Sequence, residues 1–252
     1  MADTPIEKRG SIYLKRDDLY QPGNIRAWGG KARSCFRLVK EAINGGYAGV
    51  VTAGSRSSPQ VSIVANIAKT LGIACVAFAP QGDLGNELID AQNQGARLIQ
   101  VFPGYNTVIC ARCKEFAASH NYKEIPFGMM CPESINETAK QYKNIPSQVK
   151  RIVVPIGSGM SALGIIEGMR RSKRKVPILG VVVGADPTKT LNKFCSDWQD
   201  YLSLQKSDLS YQKEVSADIG GVKLDCIYEA KCVPYLSSGD LFWIVGIRNN
   251  ER

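Results

Sequence analysis

Along most of this 252-residue chain, short apolar runs alternate with segments whose apolar residues recur at helical spacing. Residues 49–53 form an apolar run that predicts a buried strand, and residues 59–71 then place apolar side chains at helical spacing. The same order recurs later, where two predicted strands flank a helix over residues 161–170. Strands joined by helices run mainly parallel, because each helix returns the chain to the same edge of the sheet. The sequence therefore predicts an α/β fold with largely parallel sheets covered by helices.

Two loops rich in glycine and serine follow predicted strands, at residues 54–58 and 157–161. Ligands of parallel sheets bind at the carboxyl ends of strands. In the second loop, glycines would let backbone N–H groups approach a phosphate, and the following helix adds its positive end. The loop is neither a Walker loop nor a dinucleotide GxGxxG motif. It predicts a phosphate site, with a plain tight turn as the alternative. Its residues are Gly157, Ser158, Gly159, Met160 and Ser161.

Lys31 follows Gly29 and Gly30 and begins an amphipathic run that predicts a helix ending near Asn44. A lysine by itself is a weak signal, because most lysines are solvated. Together with a phosphate-binding loop, however, it completes what a pyridoxal phosphate enzyme needs. The lysine amine forms a Schiff base with the cofactor, and the loop holds the phosphate. We therefore expect pyridoxal 5'-phosphate as the cofactor.

The composition is that of an ordinary globular protein, with 44% hydrophobic and 22% charged residues. No apolar run reaches the roughly 18 residues of a membrane span, and the first residues lack a signal-peptide pattern. We expect a cytoplasmic protein, in the host cytoplasm if the chain is viral. Cys110 and Cys113 have CxxC spacing, but the chain has only one histidine and no second CxxC pair. This favours two thiols on a helix, and we expect no metal site.

The net charge of +9 is concentrated in one part of the chain, because residues 150–175 hold seven Lys or Arg and one Glu. A run of basic residues stands at the end of a predicted helix, where positive charge complements the helix dipole. The alternative is a polyanionic partner, above all DNA. The residues that would then contact DNA are Arg170, Arg171, Lys173, Arg174 and Lys175.

Six segments carry motifs in an order that one family of enzymes shares. They read YLKRDDL, GGKAR, TAGSRSS, GSGMS, LDCIYEAK and GDLFWIVG, and they extend from residue 13 to residue 246. Together they resemble the fold type II pyridoxal phosphate enzymes, the tryptophan synthase β family. Within that family they are most similar to the branch of 1-aminocyclopropane-1-carboxylate deaminase and D-cysteine desulfhydrase.

The resemblance implies two parallel-sheet α/β subdomains with the cofactor in the cleft between them. On this basis we assign residues 1–46 and 147–252 to a large cofactor domain and residues 47–146 to a small inserted α/β domain. A small amino acid substrate and a homodimer are implied as well. The chain is shorter than typical members of the family.

By the same resemblance, Lys31 is the Schiff-base lysine and moves the proton at the substrate α-carbon. Ser57 would contact the substrate, and Ser58 stands where the family usually has an asparagine beside the ring hydroxyl. Tyr228 and Glu229 would lie by the pyridine ring or the reacting carbon. Alternatively, the two serines cap the following helix, and Tyr228 is a packed aromatic residue.

The end of the chain departs from the family pattern. Gly246, Ile247 and Arg248 stand where the family usually has a Ser, Thr or glycine-rich turn near the pyridine nitrogen. We assign Gly246 to the cofactor site, and the partner of the ring nitrogen stays open.

Three functions are compatible with these motifs. The first is an enzyme of lyase, deaminase or decarboxylase type that acts at the α-carbon of a free amino acid. The second is the same chemistry on an amino acid attached to DNA, as in viral thymine hypermodification. The third is a non-catalytic pyridoxal phosphate-binding protein. The complete set of Lys31, phosphate loop, Tyr228 and Glu229 favours an enzyme.

Overall fold

The structure, a computed structural model, describes residues 3–248. The strands are β1 (Ile6–Arg9), β2 (Ile12–Arg16), β3 (Gly49–Ala53), β4 (Ala74–Pro80), β5 (Arg97–Val101), β6 (Tyr122–Ile125), β7 (Arg151–Ile156), β8 (Ile178–Val182), β9 (Leu202–Lys206), β10 (Asp218–Ile219), β11 (Val222–Lys223) and β12 (Asp240–Ile244). The α-helices are α1 (Gly30–Asn44), α2 (Pro59–Leu71), α3 (Asn86–Asn93), α4 (Asn106–His120), α5 (Pro132–Ala139), α6 (Met160–Ser172) and α7 (Thr188–Phe194). The described residues form two compact units, one of residues 3–20 and 130–247 and the other of residues 21–129 and Arg248.

The first unit contains a six-stranded sheet in the order β1-β2-β12-β7-β8-β9. Only β1 and β2 pair antiparallel, whereas the other neighbours pair parallel. Successive side chains of β12 point to opposite faces: Trp243 belongs to the hydrophobic cluster that includes α6 residues, and Phe242 to the cluster on the other face. Because both faces are buried, the central strands β12 and β7 are apolar after their first residues rather than alternating.

The second unit contains a parallel four-stranded sheet in the order β5-β4-β3-β6. All five residues of β3 are buried. On one face, Val51 of β3 and Phe78 of β4 pack with Ile109 of α4. Gln60 of α2 donates hydrogen bonds to Thr52 Oγ1 at 3.0 Å and to the Pro126 carbonyl at 2.8 Å, which ties α2 to the end of β3. The strand ends of this sheet therefore carry the loops that lead into α2 and α3.

The predicted α/β fold with parallel sheets is confirmed. Neither α5 nor β6 was predicted from the sequence.

The two compact units have different limits from the predicted domains. Residues 21–46, predicted in the large domain, lie in the second unit because α1 packs on α2, β3 and β6. Residues 130–146, predicted in the small domain, lie in the first unit because α5 packs on α6. In both cases the helix belongs to the unit against which it packs. Within residues 3–248 no helix is long and apolar enough to cross a membrane.

Candidate active site

The predicted phosphate loop lies between β7 and α6, at the carboxyl end of a central strand. Gly159 precedes the first residue of α6 and has φ +85°, in the left-handed region that disfavours residues with a Cβ. The first N–H groups of a helix have no carbonyl partner within the helix, and they carry its positive end. The start of α6 is therefore suited to an anion.

The surroundings of this loop leave little room for side chains at its two glycines. A Cβ added to Gly157 would lie 3.1 Å from the hydroxyl oxygen of Tyr228, and one added to Gly159 would lie 3.0 Å from Cδ2 of Leu191. Glycine at both positions keeps the backbone N–H groups accessible from the side where a ligand approaches. The loop thus fits the phosphate group of pyridoxal phosphate.

Two contacts hold Tyr228 beside this loop: a hydrogen bond from its backbone N–H and an aromatic contact with a neighbouring ring. Its N–H donates to Asp225 Oδ1 at 2.8 Å. Its ring meets that of Tyr211 edge to face, with 5.8 Å between the centroids and 72° between the planes. Neither contact uses the hydroxyl, which lies beside Gly157. The structure thus brings together two predicted site residues that are far apart in the sequence.

Glu229 is buried, with 2% of its surface exposed. Its Oε1 accepts hydrogen bonds from the backbone N–H groups of Val245, at 2.9 Å, and Gly246, at 3.1 Å. The hydrogen bond from Gly246 therefore links two residues of the predicted site, Glu229 and Gly246. Burial raises the pKa of Glu229 well above its ordinary value, and the nearby charge of Asp225 raises it further.

Asp225 was not predicted as a site residue. Its Oδ1 accepts the N–H groups of Ile227, at 2.9 Å, and Tyr228, at 2.8 Å. A short acidic side chain that binds N–H groups two and three residues later is a common turn former, so its position within the LDCIYEAK motif was an available signal.

The raised pKa of Glu229 predicts a specific dependence of stability on pH. The unfolded carboxyl loses its proton near 4.5, whereas the folded one keeps it to higher pH. This group's stabilising contribution is therefore fully present below the unfolded pKa and is lost as the pH rises through the folded pKa. Glu229→Gln should make the free energy of unfolding less dependent on pH between pH 4 and pH 8, because the glutamine side chain does not titrate.

Urea unfolding across this pH range measures the effect. Glu115→Gln is the matched control because Glu115 is an exposed carboxylate on α4 that pairs with Arg112. Parallel pH profiles for wild type and Glu229→Gln would contradict the assignment.

Lys31 lies in the second unit as the second residue of α1, directly after the helix N-terminus. Gly29 precedes the helix with φ +87°, so the chain enters α1 through a conformation that favours glycine. The lysine is half-buried. In this unit α1 packs against α2, the helix that follows the loop with the two predicted serines.

The loop of residues 54–58 connects β3 to α2. Ser57 is exposed and Ser58 is half-buried. Ser58 occupies the position before α2, yet within residues 3–248 its side chain makes no capping hydrogen bond to the helix. The helix-cap explanation therefore does not account for this serine.

Arg248 is a buried residue that the sequence analysis noted only as a departure from the family pattern. Its exposed fraction is 6%, and its Nη2 donates a hydrogen bond of 3.3 Å to the carbonyl oxygen of Ser57. The contact joins residues 191 positions apart, so no local pattern could have indicated it. Arg248 anchors the backbone of the serine loop.

Most of the basic run at the end of α6 is bound to other parts of the first unit. Arg170 pairs with Asp197, and Arg171 Nε donates to Glu167 at 2.8 Å. Arg174 donates to the carbonyls of Ile145 and Pro146. The Lys175 ammonium lies 4.6 Å from the ring centre of Tyr201. Most of these cations thus have a structural role at the helix end.

Within residues 3–248, no three His, Cys, Asp or Glu side chains are grouped so that they could hold a metal ion. Cys110 and Cys113 lie on α4 as free thiols. Burial raises the pKa of Cys113 to about 12 and also raises that of Cys110. Both thiols therefore stay protonated at neutral pH, which does not suit a redox-active pair.

Two solved structures have a fold similar to that of this chain. A structure described as an ACC deaminase homologue superimposes with a TM-score of 0.84 and 19% identity, over 98% of this chain and 90% of the other. Threonine deaminase isoform 2 from Solanum lycopersicum superimposes with a TM-score of 0.66 and 14% identity, over 97% and 84% of the two chains. These likenesses establish the fold as that of fold type II pyridoxal phosphate enzymes.

Sequence relatives belong to the predicted branch. A probable 1-aminocyclopropane-1-carboxylate deaminase of Schizosaccharomyces pombe is 30% identical over 71% of this chain and 59% of its own length. A D-cysteine desulfhydrase of Yersinia pestis is 28% identical over 65% of this chain and 45% of its own. A putative 1-aminocyclopropane-1-carboxylate deaminase of Thermotoga maritima is 27% identical over 89% and 83%. The chain thus spans about half the length of the first two relatives.

A family profile also matches the chain. The family described as "Pyridoxal-phosphate dependent enzyme" matches residues 2–214, which is most of the chain. This match confirms the predicted cofactor and the predicted class of protein, an enzyme. On this evidence the chain belongs to the family of pyridoxal-phosphate dependent enzymes.

Proposed function

We propose that this protein is a pyridoxal phosphate-dependent lyase or deaminase that acts at the α-carbon of a small free amino acid. The observation that carries the proposal is the place of Lys31 in the first turn of α1, behind a left-handed glycine. A helix N-terminus disfavours a positive charge, so helix stability does not explain a lysine there. A role as the amine that binds the cofactor would explain the lysine at this position.

The residues of each unit have separate tasks in this proposal. When bound, pyridoxal phosphate withdraws electrons from the α-carbon of the attached amino acid, so that a bond at this carbon can break. The Lys31 amine would hold the cofactor covalently and then move a proton at the α-carbon. The backbone N–H groups of residues 157–161 would bind the phosphate, and Ser58 would bind the ring hydroxyl.

The remaining site residues would control the ring and the substrate. Ser57 would contact the substrate through its hydroxyl, while Arg248 holds the Ser57 carbonyl. Glu229 would lie beside the ring, where burial raises the pKa of its carboxyl group well above the ordinary value. Its bonds to Val245 and Gly246 hold this carboxyl in one position.

Borohydride trapping tests the proposal. Borohydride reduces the bond between a lysine amine and the cofactor, so a peptide map of the treated holoenzyme should place the adduct on Lys31. An adduct on a different lysine would refute the assignment. A screen of free amino acids for release of ammonia or a keto acid then identifies the reaction.

Tyr228→Phe should lower kcat by at least about tenfold, because one hydroxyl beside the phosphate loop is lost. The free energy of unfolding should change little, since the edge-to-face contact with Tyr211 and the backbone bond to Asp225 both remain. Steady-state kinetics and urea unfolding measure the two effects. Tyr211→Phe is the control because it removes a hydroxyl from the adjacent ring. Equal turnover in Tyr228→Phe and wild type would make Tyr228 a packing residue.

A DNA-linked amino acid is the alternative substrate, and the basic run does not favour it. Arg170, Arg171 and Arg174 already bind partners within their own unit. DNA binding with a steep dependence on salt would be the mark of that alternative. The homodimer and the cytoplasmic location stay predictions.

A further inference from the structure

Arg56 lies in the middle of the serine loop, between Ser55 and Ser57, and is exposed. Its side chain rests on the loop between β4 and α3. A Cβ added to Gly82 would lie 2.7 Å from Arg56 Nη1, and one added to Gly85 would lie 2.6 Å from the Arg56 carbonyl oxygen. The two glycines make room for the arginine, so its side chain has a defined place at the carboxyl ends of the strands.

The guanidinium group of Arg56 has no partner among the residues that the structure describes. Throughout residues 3–248, the structure gives it neither a hydrogen bond nor an ion pair, although Asp83 lies in the adjacent loop. Two other arginines of the second unit are paired: Arg37 with Glu41, and Arg112 with Glu115. Arg56 is thus a cation that is positioned but not neutralised.

A second arginine fixes the backbone of the same loop. Arg248 is buried and donates to the carbonyl oxygen of Ser57, the residue next to Arg56. A backbone held from this side loses less conformational freedom when a ligand binds, so more of the interaction energy appears as affinity. The loop therefore combines serine hydroxyls, an available guanidinium and a fixed backbone.

We propose that Arg56 is a specificity residue that binds a second anionic group, a carboxylate or a phosphate, on the side chain of the amino acid substrate. The inference rests on the proposed function, in which this loop contacts the substrate. A guanidinium presents paired N–H donors that match the oxygens of a carboxylate or phosphate. A neutral side chain offers no such partner and would leave the guanidinium hydrated. The preferred substrates are then acidic or phosphorylated amino acids.

Binding of amino acids to the holoenzyme tests this directly. The change in cofactor absorbance on titration gives Kd independently of turnover. Wild type should bind aspartate and glutamate about 10- to 100-fold more tightly than asparagine and glutamine, because a charge-assisted hydrogen bond is lost with the amides. The affinities for phosphoserine and serine are compared in the same way, which distinguishes a preference for phosphate from one for carboxylate. Both enantiomers of each amino acid are tested.

Variants then assign the preference to one residue. Arg56→Gln should reduce the ratio between acid and amide to near one, and Arg56→Lys should retain part of it. Arg97→Gln is the matched control, because Arg97 is an exposed arginine at the opposite end of the same sheet. It should leave the preference unchanged.

Three results would overturn the proposal: equal affinity of wild type for acids and amides, a preference that survives in Arg56→Gln, or a uniform loss of affinity for all amino acids in that variant. Each of them can occur together with a borohydride adduct on Lys31, which would leave the proposed function intact. An adduct on another lysine would refute the proposed function whatever the Arg56 comparison gave.

Discussion

Lys31→Ala is expected to lose turnover almost completely while the protein stays folded. The variant lacks the amine that would hold the cofactor and move the proton, and proton transfer alone contributes about 10²- to 10⁴-fold to rates. Alanine is a better helix former than lysine, and its neutral side chain suits the first turn of α1. The free energy of unfolding should therefore change by less than about 1 kcal/mol.

Activity assays and urea unfolding of the same preparations separate these two effects. Lys40→Ala is the control, because Lys40 is an exposed lysine near the other end of α1. It should retain the activity of wild type. Full activity in Lys31→Ala would remove this lysine from the mechanism.

Gly159→Val is expected to abolish binding of pyridoxal phosphate. At φ +85° a β-branched residue is strained by about 1–3 kcal/mol, and its Cβ would lie 3.0 Å from Leu191 Cδ2. The loop must shift to relieve both, which moves its N–H groups away from the phosphate. Loss of one or two charge-assisted hydrogen bonds, about 1.5–3 kcal/mol each, weakens binding at least about tenfold.

A strained backbone could also unfold the protein, so the experiment needs a second glycine variant. Gly72 has φ +72° and an added Cβ there would meet no atom within 4 Å. Gly72→Val thus imposes similar strain away from the phosphate loop and should bind the cofactor normally. Titration by absorbance gives the affinities, and circular dichroism reports the fold. Normal cofactor affinity in a folded Gly159→Val would show that the phosphate binds elsewhere.

Secondary structure was predictable wherever a segment had a strong pattern of its own. The limits of β3 and α2 agree with the predictions to the residue. Buried strands are apolar throughout, and α2 is bounded by Pro59 and the left-handed Gly72. The missed elements lack such patterns: β6 is a four-residue strand with two charged residues, and α5 has only two apolar residues, Ile135 and Ala139.

The sequence by itself determined the kind of fold, the glycine loop before α6 and the lysine that begins α1, because each depends on neighbouring residues. The tertiary structure alone decided which distant groups meet. The Tyr228 hydroxyl lies against Gly157, and the Glu229 carboxyl holds the N–H of Gly246. Likewise, Arg248 reaches the carbonyl of Ser57 across 191 positions. The order of strands in a sheet sets such partners, and a chain segment carries no local signal of the strand that will lie beside it.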